Sequence, residues 1–191
     1  VCMRAADSDE AQARRNSMPF RVKADAFVPA GGRPNTISSA NFRDFLDADG
    51  VPSSRLIVEG ANIYVTNDAR QLLFDTANVM IIKDSSANKC GVVTSSCEIA
   101  CSMLLSTEEF VANKQPLVDD VLLHLRHIAQ AEARMLYSCF RKYPGTLPQF
   151  SERISFCINS VTDALIARLD GLQPGDALLE ELLPLVKLNL P

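Results

Sequence analysis

Between Asn88 and Glu98 the chain reads Asn-Lys-Cys-Gly-Val-Val-Thr-Ser-Ser-Cys-Glu, so Thr94, Ser95 and Ser96 place three hydroxyls in succession. The run Val79-Met80-Ile81-Ile82 ahead of it is short, apolar and rich in β-branched residues, the pattern of a buried strand. The polar residues 83–88 end that strand. Gly91 is read as a point of close backbone approach or of positive φ. From Val92 the spacing turns helical, with Val92, Ser95, Ser96 and Ile99 on one side. A strand, a polar turn with glycine and a helix carrying hydroxyls in its first turn suit an anion. Unpaired helix N–H groups and the positive end of the dipole face such a ligand, and small hydroxyls add donors. A capped, buried helix has the same local pattern, so both readings stand on these residues alone.

The elements that must position this stretch can be read in order. Residues 1–18 are polar and without periodicity, and are expected to be an irregular lead-in or edge segment. Ala26-Phe27-Val28 is the first strand, stopped by Pro29 and the Gly31-Gly32 turn. Ser38 or Ser39 is expected to cap a short helix with Phe42, Phe45 and Leu46 on one face, which Asp49-Gly50 and Pro52 end. Leu56-Ile57-Val58 is the second strand. Thr66 or Asn67 caps the following helix, which turns Ala69, Leu72 and Leu73 inward, and residues 79–82 form the third strand. Alternating strands and helices at this spacing predict parallel strands joined by right-handed crossovers. In such sheets ligands bind beyond the carboxyl ends of the strands.

Three stretches in order resemble one family. Asn88 to Glu98 is similar to the Asn-x-x-Gly-Val-x-x-Ser-x-x-Glu signature of glutamate dehydrogenases and related amino-acid dehydrogenases. Residues 24–35, Ala-Asp-Ala-Phe-Val-Pro-Ala-Gly-Gly-Arg-Pro-Asn, resemble that family's strand ending in Ile-Pro-Ala before an Asn or Gln. Ile57-Val58-Glu59-Gly60-Ala61-Asn62 with Thr66-Asn67-Asp68-Ala69 resembles its Glu-Gly-Ala-Asn…Thr-x-x-Ala segment. The Gly-Gly-Arg-Pro-Asn variant and Lys-Asp-Ser-Ser-Ala-Asn-Lys look most like the large NAD-specific glutamate dehydrogenases. The match covers residues 20–140. All three motifs fall at the carboxyl ends of the expected strands, so the resemblance and the strand reading point to one cleft.

The resemblance implies an oxidoreductase that deaminates glutamate to 2-oxoglutarate and ammonia, with NAD as hydride acceptor. On it, Ser95 binds the substrate's side-chain carboxylate and Val92 lines that pocket. Asn62 and Asn88 lie near the nicotinamide, where an amide offers donor and acceptor together. Ala30 and Gly31 pass the nicotinamide ribose, where small residues permit close approach. For Ser95 the competing reading is a helix-capping hydroxyl. Lys89 is read as an exposed structural lysine in preference to a partner for a bound anion. Glu59 and Glu98 are read as structural acids that orient backbone or pair a base. Sister enzymes acting on leucine, valine or phenylalanine are the near alternative, against which the polar Ser95 argues. A non-catalytic helical oligomerisation module is the alternative from another class.

No Gly-x-Gly-x-x-Gly follows a strand, so the pyrophosphate-binding half of a dinucleotide fold is missing from the pattern. The family's catalytic lysine and aspartate lie in a preceding substrate domain that no segment here resembles, so no catalytic residue is assigned. The expected fold is α/β: a partial Rossmann-like parallel sheet, the second half of a dinucleotide-binding domain, over residues 1–105. A helical C-terminal cap is expected over 106–191. There Val118, Val121, Leu122, Leu125, Ile128, Met135, Leu136 and Cys139 form an apolar stripe. After the Tyr143-Pro144-Gly145 break, a second helix from near Pro148 is expected to bury Ile154, Cys157, Ile158, Val161 and Leu165, and to stop at Gly171. A third is expected from about Asp176, interrupted at Pro184.

With 191 residues, 47% apolar and 22% charged, the composition is that of an ordinary globular chain. The net charge of −4 and the absence of a basic cluster beyond Arg14-Arg15 argue against nucleic acid as a partner. No uncharged apolar run approaches the ~20 residues that span a bilayer, so no membrane partner is expected. The chain opens on Val1 without a basic-then-apolar leader pattern and is expected to be a piece of something longer. The remainder of that polypeptide, glutamate or 2-oxoglutarate, and further copies in a homo-oligomer are the expected partners. Six cysteines set mostly within apolar patterns read as reduced core thiols, which places the protein inside the cell, in the cytoplasm or mitochondrial matrix. Cys97 and Cys101, one turn apart, and His124 and His127, three apart, lack further ligands at metal spacing, so no metal is assigned. These 191 residues in isolation are expected to show no NAD-dependent glutamate oxidation. A spectrophotometric assay that detected it would overturn that reading.

Overall fold

The computed structural model describes residues 8–171 and, beyond them, 177, 180 and 181. The expected third helix from Asp176 falls mostly outside the described residues. Three short strands, β1 (Ala26–Phe27), β2 (Leu56–Val58) and β3 (Met80–Ile82), form a parallel sheet in that order. Phe27 pairs with Ile57, and Ile57 with Ile81, so the apolar centres of all three strands lie in one row. The chain is thus α/β with a partial Rossmann-like sheet followed by a helical region, as the alternating pattern predicts.

β2 and β3 are joined by α3 (Asn67–Ala77), which starts where Thr66 Oγ1 accepts from the Ala69 N–H at 3.3 Å. Asn78 closes it in the left-handed conformation, which Asn tolerates better than most residues. Ala69 and Leu73 face the sheet fully buried, while Leu72 is half-buried at its edge. Ile57 and Ile81 on the strands, Leu73 on α3, and Ile37, Phe42, Phe45 and Val65 from the loops make one core. The segment expected to be a short helix capped by Ser38 or Ser39 is instead one 3-10 turn, Phe42–Phe45. Asn41 Oδ1 accepts from the Ser38 N–H at 2.7 Å, fixing a turn too tight to continue as an α-helix. Phe42 and Phe45 are buried by it, and Leu46 is already extended.

Residues expected to be irregular form α1 (Asp9–Asn16) and α2 (Met18–Arg21). Ser8 Oγ caps α1 by accepting from the Ala11 N–H, Asp9 and Glu10 occupy its first turn, and Arg14 and Arg15 its last. This charge order complements the helix dipole. No residue of α1 is buried, so there was no apolar periodicity to reveal it. α4 (Asp84–Ala87) is a single turn after β3.

Residues up to Asn88 together with Cys139–Ser151 form one compact unit, and Lys89–Ser138 with the described residues from Glu152 form another. The second unit contains α5 (Cys90–Leu104), α6 (Thr107–Ala112) and most of α7 (Lys114–Lys142) and α8 (Leu147–Leu169). α6 opens with a capping box: Ser106 Oγ accepts from the Glu109 N–H, and Glu109 Oε2 from the Ser106 N–H at 2.9 Å. The break after α7 falls at 143–145 as predicted, with Gly145 at φ +142°. The predicted burial along α8 is not found. Ile154 is half-buried, but Cys157, Ile158, Val161 and Leu165 are exposed, and the buried residues of α8 are Leu147, Phe150 and Ser151 at its start. Only Leu136 of the α7 stripe is fully buried. Periodicity marks an apolar face but says nothing of whether a neighbour covers it. Leu73→Ala should destabilise the chain by about 2–5 kcal/mol through lost burial and a cavity, read as a shift in the urea unfolding midpoint.

Candidate functional site

The site is built at the carboxyl ends of the three strands, and a buried ion pair holds it there. Glu59 follows β2 directly and is fully buried, which requires its charge to be matched. Arg70, on the inward side of α3 and only 4% exposed, supplies the match. Its Nε donates to Glu59 Oε1 at 2.6 Å and its Nη2 to Oε2 at 2.8 Å, the paired fork a guanidinium makes with a carboxylate. Glu59 Oε2 also accepts from the Val65 N–H at 3.3 Å. The expectation that Glu59 orients backbone and pairs a base is therefore met. Glu98 is exposed.

The network continues into the motif loops. Arg70 Nη1 donates to Asn67 Oδ1 at 2.5 Å, and Nη2 lies 3.5 Å from Asp84 Oδ1. Asp84, at the end of β3, accepts from the Ile63 N–H through Oδ2 at 2.9 Å. Ile63 is left-handed, at φ +49°. This carboxylate hydrogen bond, with the Asn35 N–H donating to the Ile63 carbonyl at 2.7 Å, holds a β-branched residue there at a cost of about 1–3 kcal/mol. The same α4 turn presents Asn88, whose N–H donates to the Asp84 carbonyl at 2.8 Å. Asn88 Nδ2 donates to Asn62 Oδ1, so the two predicted amides are brought together across the ends of β2 and β3. That bond leaves the Asn62 amide N–H pair and the Asn88 amide oxygen for a ligand.

Ala30 and Gly31 lie beyond β1 in the wall of a cleft of about 430 Å³, which also includes Phe27, Gly32, Arg33 and Tyr64. Two glycines shape this end of the sheet. Gly60 sits so close to the β1 loop that an added Cβ would lie 3.1 Å from the Pro29 carbonyl oxygen. Gly32, at φ +126°, lies against the Tyr64 ring, where a Cβ would come within 2.8 Å. A Cβ at Gly31, by contrast, would meet nothing within 4 Å. Burial raises the Tyr64 pKa above its usual value, opposed by a hydrogen bond with Thr36, so the phenol keeps its proton at neutral pH.

α5 begins earlier than its pattern suggested. Lys89 is its N-cap and Cys90 its first residue, so Gly91 is helical and has neither positive φ nor a close neighbour. Thr94, Ser95 and Ser96 consequently stand in the second turn, away from the unpaired N–H groups. Their hydroxyls donate backward along the helix: Ser95 Oγ to the Gly91 carbonyl at 2.8 Å and Ser96 Oγ to the Val92 carbonyl at 3.0 Å. Ser95 is therefore not a capping hydroxyl. Val92 and Ser95 both sit on the exposed side of α5, Val92 at 72%. The buried side carries Cys97 and Cys101, both free. Lys89 Nζ donates to both oxygens of Glu132, at 2.7 and 2.8 Å, and so ties the start of α5 to α7. His124 and His127 are exposed on α7, and among the described residues no group of His, Cys, Asp or Glu gathers at metal-binding distance.

Sequence reasoning missed Arg70 and Asp84. The available signal was Glu59, an acid set directly after a buried strand, which demands a basic partner nearby. The fold is a three-stranded parallel sheet whose motif loops lie at the carboxyl ends of the strands. Residues 3–136 match the Glutamate/Leucine/Phenylalanine/Valine dehydrogenase family, and the chain belongs to it. It is 44% identical over 99 residues to a protein of Schizosaccharomyces pombe named probable NAD-specific glutamate dehydrogenase, covering 52% of this chain and 9% of that one. Over 161 residues it is 33% identical to the NAD-specific glutamate dehydrogenase of Saccharomyces cerevisiae, covering 78% of this chain and 15% of that one. Over 155 residues it is 34% identical to glutamate dehydrogenase 2 of Dictyostelium discoideum, covering 74% and 15% respectively. The family read from the three motifs is thereby borne out, and the chain spans only 9–15% of these relatives' lengths.

Arg70→Met strands the buried Glu59 carboxylate and should cost about 3–5 kcal/mol, whereas the Glu59→Leu/Arg70→Met double variant should recover much of the loss. Urea unfolding of the three proteins gives the comparison. A double variant no more stable than the single would show that the pair's loss is not a stranded charge.

Proposed function

We propose that this chain forms part of an oxidoreductase that converts glutamate to 2-oxoglutarate and ammonia with NAD. The observation that carries the reading is the Asn62–Asn88 amide pair, held at the ends of β2 and β3 by the Glu59–Arg70–Asp84 network. The names of the relatives over the same stretch support it. When bound, the nicotinamide supplies the acceptor for the hydride that leaves the substrate's α-carbon. The residues present fit such a group: the free donors of Asn62 and acceptor of Asn88 suit a carboxamide, and the open space at Gly31 admits a ribose against backbone. Their role is to hold the ring in one orientation, which lowers the barrier by removing rotational freedom before reaction.

Ser95 takes the substrate's side-chain carboxylate. Its hydroxyl exchanges the Gly91 carbonyl for a charged acceptor by rotation about one bond, at little cost to the helix. Val92, exposed and apolar one turn earlier, covers the substrate's methylenes. A polar residue at position 95 favours glutamate over leucine, valine or phenylalanine, the other substrates in the family's name. Residues 1–105 act as the second half of the dinucleotide-binding domain, and 106–191 as its helical cap. The rest of a longer polypeptide and further copies of it are the partners. Phe156, Val161 and Leu165, exposed on α8, supply apolar surface for such contacts. The five described cysteines are all free, which supports a reducing compartment, the cytoplasm or the mitochondrial matrix. No helix among the described residues is long and apolar enough to cross a membrane.

Glutamate-dependent reduction of NAD and of NADP by the full-length polypeptide tests the reading, wild type beside Ser95→Ala. Losing a hydrogen bond to a charged group costs ~1.5–3 kcal/mol, so kcat/KM for glutamate should fall roughly 10- to 150-fold with the KM for NAD unchanged. An unaltered kcat/KM would remove Ser95 from the substrate pocket. Absence of glutamate oxidation in the wild type would remove the activity itself.

A further inference from the structure

The α4 turn presents Asn88 to Asn62, yet it is a single helical turn with no buried residue of its own. One turn is not stable alone, so its placement has to come from outside. Asp84 secures its start, through the Ile63 N–H and Arg70. A second tie comes from α8. Ser151 Oγ lies 2.9 Å from Ser85 Oγ and 2.5 Å from Ser86 Oγ. We propose that Ser151 is a positioning residue for the nicotinamide site: its hydroxyl pins the α4 turn through Ser85 and Ser86 and so holds Asn88 against Asn62. The inference rests on the nicotinamide reading above and adds to it a residue beyond the stretch, 3–136, that matches the family.

Three observations carry it. First, Ser151 is only 1% exposed, so its hydroxyl is shielded from water and is satisfied by the two serines. A hydroxyl has one proton and two lone pairs, so Ser151 can donate to one serine and accept from the other. Ser85 and Ser86 are half-buried and have solvent as an alternative, which Ser151 lacks. Second, Ser151 stands on a fixed support within the same compact unit as the strands. The Thr146 N–H donates to Gln149 Oε1 at 3.0 Å where α8 begins, and Leu147 and Phe150 are buried. Leu147 and Pro148 share a crevice with Phe74 of α3 and Met80 of β3, and the Phe74 and Phe140 rings meet edge to face at 6.3 Å. Third, hydrogen-bonded backbone joins the pin to Asn88. The Ser86 and Ala87 N–H groups both donate to the Lys83 carbonyl at 2.9 Å, and the Asn88 N–H to the Asp84 carbonyl at 2.8 Å. A tilt of this turn therefore moves the Asn88 amide with it.

The full-length polypeptide, wild type beside Ser151→Ala, gives two readouts that need no turnover. Hydrogen exchange followed by mass spectrometry should quicken roughly 2- to 12-fold over residues 84–88, the effect of one lost hydrogen bond, with β2 unchanged. Fluorescence titration should show NADH binding weakened by roughly the same 2- to 12-fold, while ADP-ribose, which lacks the nicotinamide, binds as before. The Ser85→Ala/Ser86→Ala double variant removes the other, half-buried end of the pin. It should reproduce both effects, and it decides the matter if Ser151→Ala fails to fold. Asn88→Ala should itself weaken NADH, and adding Ser151→Ala to it should bring no further loss, since the pin acts through Asn88. Unchanged exchange over 84–88 overturns the pin. Faster exchange with unaltered NADH affinity, an equal loss of ADP-ribose, or a full further loss in the Asn88→Ala background overturns the positioning role. NADH affinity unaltered in Asn88→Ala overturns the nicotinamide reading of the amide pair and this proposal with it. A loss in Asn88→Ala but not in Ser151→Ala overturns the proposal alone.

Discussion

The fully buried carboxylate of Glu59 is the constraint on which the rest of this sheet end depends. An unpaired charge at that depth would cost several kcal/mol, so the fold must bring a guanidinium to it, and α3 carries one within reach. Arg70 answers with a two-pronged pair, and its remaining donor atoms reach Asn67 and Asp84. One side chain thereby fixes the end of β2, the start of α3 and the end of β3 relative to one another. An apolar substitute of equal volume would fill the space as well. It would not set the direction of two loops, and the direction of the loops is what a ligand site needs.

Backbone approach does the complementary work on the β1 side. Gly60 lets the end of β2 lie against the Pro29 carbonyl, and Gly32 lets the β1 loop fold onto the Tyr64 ring. Bridging of Ile37 to Val65 then ties the long β1–β2 connection to the β2–α3 loop. Side-chain charge on one side of the site and glycine contacts on the other leave the exposed Ala30, Gly31 and Asn62 and the half-buried Asn88 on a frame with little freedom.

The helical unit shows the opposite economy. Lys89–Glu132 joins α5 to α7 and the capping box starts α6, yet Ile99 and Met103 on α5 and most of α8 keep large apolar side chains exposed. Ser95 and Val92 lie on the same exposed side of α5. The Val92 methyls face solvent, while the Ser95 hydroxyl is turned back onto the Gly91 carbonyl.

The three strands, the Thr66 cap, the break at 143–145 and the family motifs were legible because each depends on neighbours in sequence: β-branched runs, a hydroxyl three residues before an N–H, a Pro-Gly pair. The partner of Glu59 was not, because Arg70 occupies a helix position that reads as solvent-facing until the sheet is placed beneath it. α1 escaped notice because its signal lies in caps and charge order, not in a buried stripe. The start of α5 was set two residues too late since Gly91 and Cys90 carry no strong helical preference. The exposure of α8 was hidden for the converse reason, that a stripe records what a helix can bury and not what lies against it. Periodicity and turn chemistry therefore fixed the elements of this chain. That Glu59 and Asp84 meet Arg70, and that Asn62 meets Asn88, was decided by tertiary packing, because those contacts join side chains on different elements of the fold.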